Sequence, residues 1–153
     1  MKKNLFGLGR VMFAALMSIT SISIAFAQEA NPLKGQKVLV FSLTKGFRHS
    51  SIKPGQIALF KMAKEKGFSV DTTENPAVFT EKNLKNYRVV VFMSTTGNVL
   101  NEQQQNAFER YIQAGGAYFG VHAATDTEYD WAWYTKLAGG QFASHPGRPN
   151  VQK

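Results

Sequence analysis

Three short apolar runs constrain this chain more than any other feature. Val38-Leu39-Val40-Phe41-Ser42-Leu43, Val89-Val90-Val91-Phe92-Met93 and Ala117-Tyr118-Phe119-Gly120-Val121 are almost unbroken. A strand with one wet face alternates apolar and polar residues. A strand buried on both faces does not, and such strands belong to parallel sheets covered by helices. Helical patterns lie between the runs. Ser50 or Ser51 can cap a helix whose first turn holds Pro54, where a missing N–H does no harm. Ile57, Phe60 and Ala63 then share a face, and Gly67 ends the helix. Phe68-Ser69-Val70-Asp71 alternates, as a half-exposed edge strand does. Thr80 can cap a short helix over residues 81–86. Asn101 with Gln104 resembles a capping box, and Phe108, Tyr111 and Ile112 mark that helix's inner face. Gly115-Gly116 stops it. This alternation predicts an α/β fold with a doubly wound, mainly parallel sheet and right-handed crossovers, in which the three apolar runs are the central strands.

The first 27 residues read differently. Lys2, Lys3 and Arg10 precede an apolar run from Val11 to Phe26, and Ala25-Phe26-Ala27 offers a small-x-small cleavage pattern. The run is short and polar for a membrane span, so residues 1–27 are expected to be a secretory signal peptide, with an uncleaved membrane anchor as the alternative. Export to the periplasm or the exterior follows, with no stable membrane association after cleavage. Residues 28–36 form a polar lead-in, and residues 37–153 the domain. Removing the leader lowers the formal charge from +8 to +5. The remaining bases are scattered, whereas a nucleic-acid footprint needs them clustered, so no nucleic-acid partner is expected. There is no cysteine, which excludes disulfides, thiolate metal sites and a cysteine nucleophile. No closing strand or helix follows His145-Pro146-Gly147-Arg148-Pro149, so the domain is expected to be incomplete at its C-terminus.

Open parallel sheets bind ligands at the carboxyl ends of their strands. That rule selects the loops Thr44–Ser51, Ser94–Leu100, His122–Asp126 and Ser144–Arg148. All three histidines, His49, His122 and His145, fall within them. His122 sits in Gly-Val-His-Ala-Ala between a strand and an expected helix, the setting of a nucleophile elbow. Histidine there suits acid–base work or metal ligation, and a hydrogen-bonded structural histidine is the plain alternative. Converging imidazoles could hold Zn²⁺ or another divalent ion, although no short-range pair such as H-x-x-x-H is present. Asp126 follows His122 by four residues and either orients that ring or caps a turn. Trp131 and Tyr134 are candidates to stack on a sugar, with packing as their plain alternative. Thr96 and Gly97 could offer backbone N–H groups to a ligand, or form a simple turn. Neither G-x-G-x-x-G nor G-x-x-x-x-G-K-[ST] occurs, which disfavours nucleotides.

Phe47-Arg48-His49-Ser50-Ser51-Ile52, the run Gly115 to Thr127, and Trp131 to Pro146 with its Gly-Gly-Gln-Phe-Ala-Ser-His-Pro ending together resemble the ThuA-like trehalose-utilization family. The resemblance covers nearly the whole chain after the leader. It implies a flavodoxin-like fold of the class I glutamine amidotransferase type, with histidine where those enzymes carry cysteine. It also implies a role in disaccharide catabolism through 3-keto sugars, with a small carbohydrate as the partner. His49 with Arg48, His122 and His145 match the family's motif positions. The expected activity is of a sugar hydrolase or lyase type with His122 central, and not amidotransfer. A carbohydrate-binding accessory domain and an inactive fragment are the alternatives.

Overall fold

The computed structural model describes residues 31–147. The expected leader, residues 28–30 of the lead-in, and Arg148 and Pro149 lie outside them. Four strands, β1 (Lys37–Phe41), β2 (Ser69–Thr73), β3 (Val89–Met93) and β4 (Ala117–Val121), form one sheet in the order β2-β1-β3-β4. Every pairing is parallel. Four α-helices connect and follow them: α1 (Ile52–Lys66), α2 (Glu81–Leu84), α3 (Glu102–Gln113) and α4 (Ala132–Ala138). This is the flavodoxin-like order, in which the chain reverses direction across the sheet between β1 and β3.

Alternation along the strands builds two cores. Val38, Val40, Val91 and Met93 face α1, where they pack with Ile52 and Leu59. Leu39, Phe41, Val90 and Phe92 face the other side and pack with Phe79, Leu84, Phe108 and Tyr134. Phe92 is the hub of that second core, with the rings of Phe41, Phe79, Phe108, Tyr118 and Tyr134 between 5.4 and 5.8 Å from its own. Offset and edge-on ring pairs of this kind add to plain burial.

The helix caps follow the sequence closely. Thr80 accepts from the Asn83 N–H, and Asn101 with Gln104 forms a full capping box. Two expectations fail at α1. Ser51 has helical backbone angles and makes no side-chain cap, because a cap needs an extended residue. Ile57 and Phe60 are exposed, because the helix faces the sheet through Ile52, Leu59 and Ala63. A Cβ on Gly55 would sit 2.7 Å from Met93 Sδ, so glycine at that position lets this face approach β3. The third apolar run is also not central. β4 has one neighbour among the described residues, and Phe119 is 57% exposed on it. Among the same residues, no helix is long and apolar enough to cross a membrane.

This division of the core sets a stability test. Phe92→Ala should cost about 3–5 kcal/mol in urea unfolding, whereas Phe119→Ala should stay within about 0.5 kcal/mol. Equal costs would contradict the edge position of β4.

Candidate active site at the strand carboxyl ends

The loop after β1 carries His49, and His122 directly follows the last residue of β4, Val121. His122 has φ of 50°, a left-handed conformation that a residue with a side chain adopts only under strain. A turn of 3₁₀-helix, His122–Thr125, starts at this residue. The sharp strand-to-helix bend therefore exists, and it carries imidazole. The His49 and His122 rings meet edge-to-face at 4.5 Å, and Phe47 packs edge-on against His49 at 4.8 Å.

These groups line an open cavity of about 460 Å³ together with Ala123, Thr125, Asp126, Phe142 and His145. All three histidines thus share one cavity. His145 arrives on the segment after α4, which returns over the site. Phe142 N–H donates to the Thr125 carbonyl at 2.9 Å, and Gln141 Nε2 donates to the Glu128 carbonyl at 3.3 Å. The His145 ring bonds only its neighbour's backbone, through Nδ1 to the Pro146 carbonyl.

The other predicted residues fall elsewhere or act differently. Asp126 lines the cavity, but its carboxylate accepts from the Tyr129 hydroxyl, and no hydrogen bond joins it to His122. That bond holds the Tyr129 proton and pushes its pKa up to about 12. Arg48 points to Glu74, 2.6 Å away, and does not line the cavity. Trp131, half-buried, stacks on Trp133 and Tyr134 against the core. Tyr134 is fully buried and donates to the Ala124 carbonyl at 2.8 Å. These two aromatics are packing, held beneath the His122 turn.

Thr96 and Gly97 do not line the cavity either; they join the loops that do. Lys45 N–H donates to the Thr96 carbonyl at 2.7 Å. Thr96 Oγ1 accepts from Gly46 N–H and donates to the Phe47 carbonyl, each at 3.1 Å. Gly97 N–H donates to the Asp126 carbonyl at 2.8 Å. Gly97 has φ of 75°, and a Cβ there would lie 2.9 Å from Lys45 Cβ, so this crossing requires glycine.

The sequence reading missed three residues. Phe47 and Phe142 are cavity-lining aromatics, 71% and 39% exposed. Glu128 is buried at φ of 57°, and its Oε1 accepts from Val99 N–H and Leu100 N–H, both at 2.7 Å. Gln105 donates to its other oxygen at 2.6 Å. A lone glutamate without a motif gives no sequence signal for such a clamp. Among the described residues, no three His, Cys, Asp or Glu side chains gather as a metal-ligand set. The three imidazoles share a cavity without converging on one point.

The profile of the ThuA family, described as trehalose utilisation, matches residues 37–153. The chain belongs to the ThuA family. A crystal structure of a ThuA-like protein from Bacteroides uniformis superposes with a TM-score of 0.58 at 26% identity. The alignment covers 73% of this chain and 47% of that one, so this chain spans about half the length of its structural relative. No curated protein matches the chain.

Two tests follow from the ThuA site's backbone. Replacing His122 with Gly should give a fold about 1–2 kcal/mol more stable than replacing it with Ala, because only glycine relaxes φ of 50°. Equal stabilities would deny the strain. The second concerns Glu128, whose pKa burial raises above the usual 4.5 despite hydrogen bonds from Leu100, Gln105 and Val99. A raised native pKa contributes stability that is complete below the unfolded value and lost as pH rises through the native one. Glu128→Gln should therefore flatten the stability loss above pH 4.5. Glu128→Ala, which strands two N–H groups, should cost about 2–4 kcal/mol at any pH. Urea unfolding at pH 4.5 and pH 8 checks both, and a wild-type pH slope retained in the Gln variant would contradict the assignment.

Proposed function

We propose that this ThuA-family chain acts on a small carbohydrate, a disaccharide or its keto form, by acid–base chemistry centred on His122. The observation that carries the reading is the meeting of His49, His122 and His145 in one cavity, from three separate segments. All three histidines of the chain line it.

In this reading His122 moves a proton at a sugar hydroxyl or carbonyl oxygen. The strained turn carries its ring at the cavity, and among the described residues no hydrogen bond occupies either nitrogen. His49, edge-on at 4.5 Å, is close enough to complement it as the opposite member of an acid–base pair. Asp126, its carboxylate fixed by Tyr129, supplies a negative charge and an acceptor for a sugar hydroxyl. His145 closes the far wall. Amidotransfer has no place here, because the chain has no cysteine. Among the described residues the three imidazoles do not gather as a ligand set, so no step is routed through a metal. Export is part of the same proposal and rests on the leader-like first 27 residues.

The test is turnover of a disaccharide panel and their oxidised forms by purified protein, read by chromatography of the products. His122→Ala should lower the rate about 10²–10⁴-fold while leaving the unfolding transition cooperative. An unchanged rate would remove His122 from the mechanism, and activity lost to a chelator and restored by Zn²⁺ would replace the metal-free scheme.

A further inference from the structure

We infer that Phe47 and Phe142 form an aromatic subsite that takes the apolar C–H face of a pyranose ring and sets it against the His49–His122 pair. The inference rests on the carbohydrate reading above and adds the groups that recognise the ring.

Both phenylalanines line the histidine cavity while remaining exposed. Phe47 is 71% exposed, so the fold of its own domain buries little of it. Yet its backbone is among the most firmly tied in the site. Gly46 N–H and the Phe47 carbonyl both bond Thr96 Oγ1, at 3.1 Å each. The ring is also held by His49, edge-on at 4.8 Å. Phe142 is held through its N–H, which donates to the Thr125 carbonyl at 2.9 Å. Its ring lies 5.9 Å from that of His145. Each phenylalanine therefore pairs with a histidine two or three residues away. The backbone of each is anchored, and its ring faces the cavity.

That pairing suits a ring that is apolar on one face and polar at its rim. A pyranose presents axial C–H bonds on its faces and hydroxyls around its edge. The phenyl faces bury the C–H bonds, while the imidazoles and Asp126 meet the hydroxyls. Because the aromatic groups are already placed, binding costs little ordering. Trp131 and Tyr134 do not line the cavity, and Tyr134 is fully buried.

The experiment is binding of trehalose, maltose, sucrose and glucose to the full chain, by calorimetry and by saturation-transfer NMR. In wild type, saturation from the aromatic protons should pass to ring C–H protons of at least one sugar. Phe47→Ala should weaken that sugar's binding about tenfold and erase most of the transfer, with an unchanged melting temperature. Phe47→Trp should restore binding to within a few-fold, and Phe47→Leu, which keeps bulk but no π face, should not. Phe142→Ala should weaken binding in the same direction. Sugar binding that both alanine variants leave at the wild-type level would overturn the subsite and leave the carbohydrate reading standing. No binding of any of the four sugars by folded wild type would overturn both.

Discussion

The site depends on two residues that never touch the cavity. Thr96 and Gly97 extend the sheet beyond β3 by single bridges, one to Thr44 and one to Thr127. Through them, the loop bearing Phe47 and His49 and the turn bearing His122 and Asp126 are fixed to the same short piece of backbone. Loops are normally the most variable part of a fold, and functional groups on them need external support to hold their positions. Here the support is mostly backbone hydrogen bonding, added where β1, β3 and β4 end. Thr127 contributes a buried side-chain bond to Thr95 at 2.8 Å, which closes the join from beneath.

Strain and buried charge accumulate around this join. Ser94, His122 and Glu128 are the non-glycine residues with positive φ among those described; Ser94 and His122 directly follow β3 and β4, and Glu128 follows the Thr127 bridge. Ser94 Oγ is also buried without a hydrogen-bond partner among the described residues. Glu128 keeps a carboxyl in the interior to hold the backbone of Val99 and Leu100. Such conformations persist only where surrounding structure over-determines them, and they concentrate where a fold has been shaped for a task. The aromatic core centred on Phe92, with Tyr134 bonded to the Ala124 carbonyl, provides that surrounding structure directly below the His122 turn.

The sheet was readable from sequence because burial on both faces writes itself into unbroken apolar runs. The caps at Thr80 and Asn101 were readable because their chemistry is local. The rank of β4 was not, since composition separates a buried strand from a wet one but does not count its neighbours. The inner face of α1 is not legible in the same way, because periodicity weighs exposed Ile57 and Phe60 like any other apolar residue, and the close approach of Gly55 to Met93 leaves no apolar side chain to mark it. In the site, the strand-end rule drew attention to all three histidines. It could not separate residues that line the cavity from those that brace it. Thr96, Gly97 and Tyr134 brace it, Arg48 turns to Glu74, and Phe47 and Phe142, which carry no acid, base or hydroxyl to mark them, line it.

The central claim is that imidazoles from three segments act as one ligand-facing group. Labelling the histidine rings with ¹⁵N and titrating the full chain with trehalose while recording imidazole spectra tests it most directly. The account predicts that the signals of His49, His122 and His145 move together along one saturation curve. A His122 signal that stays fixed while trehalose saturates the protein would contradict it.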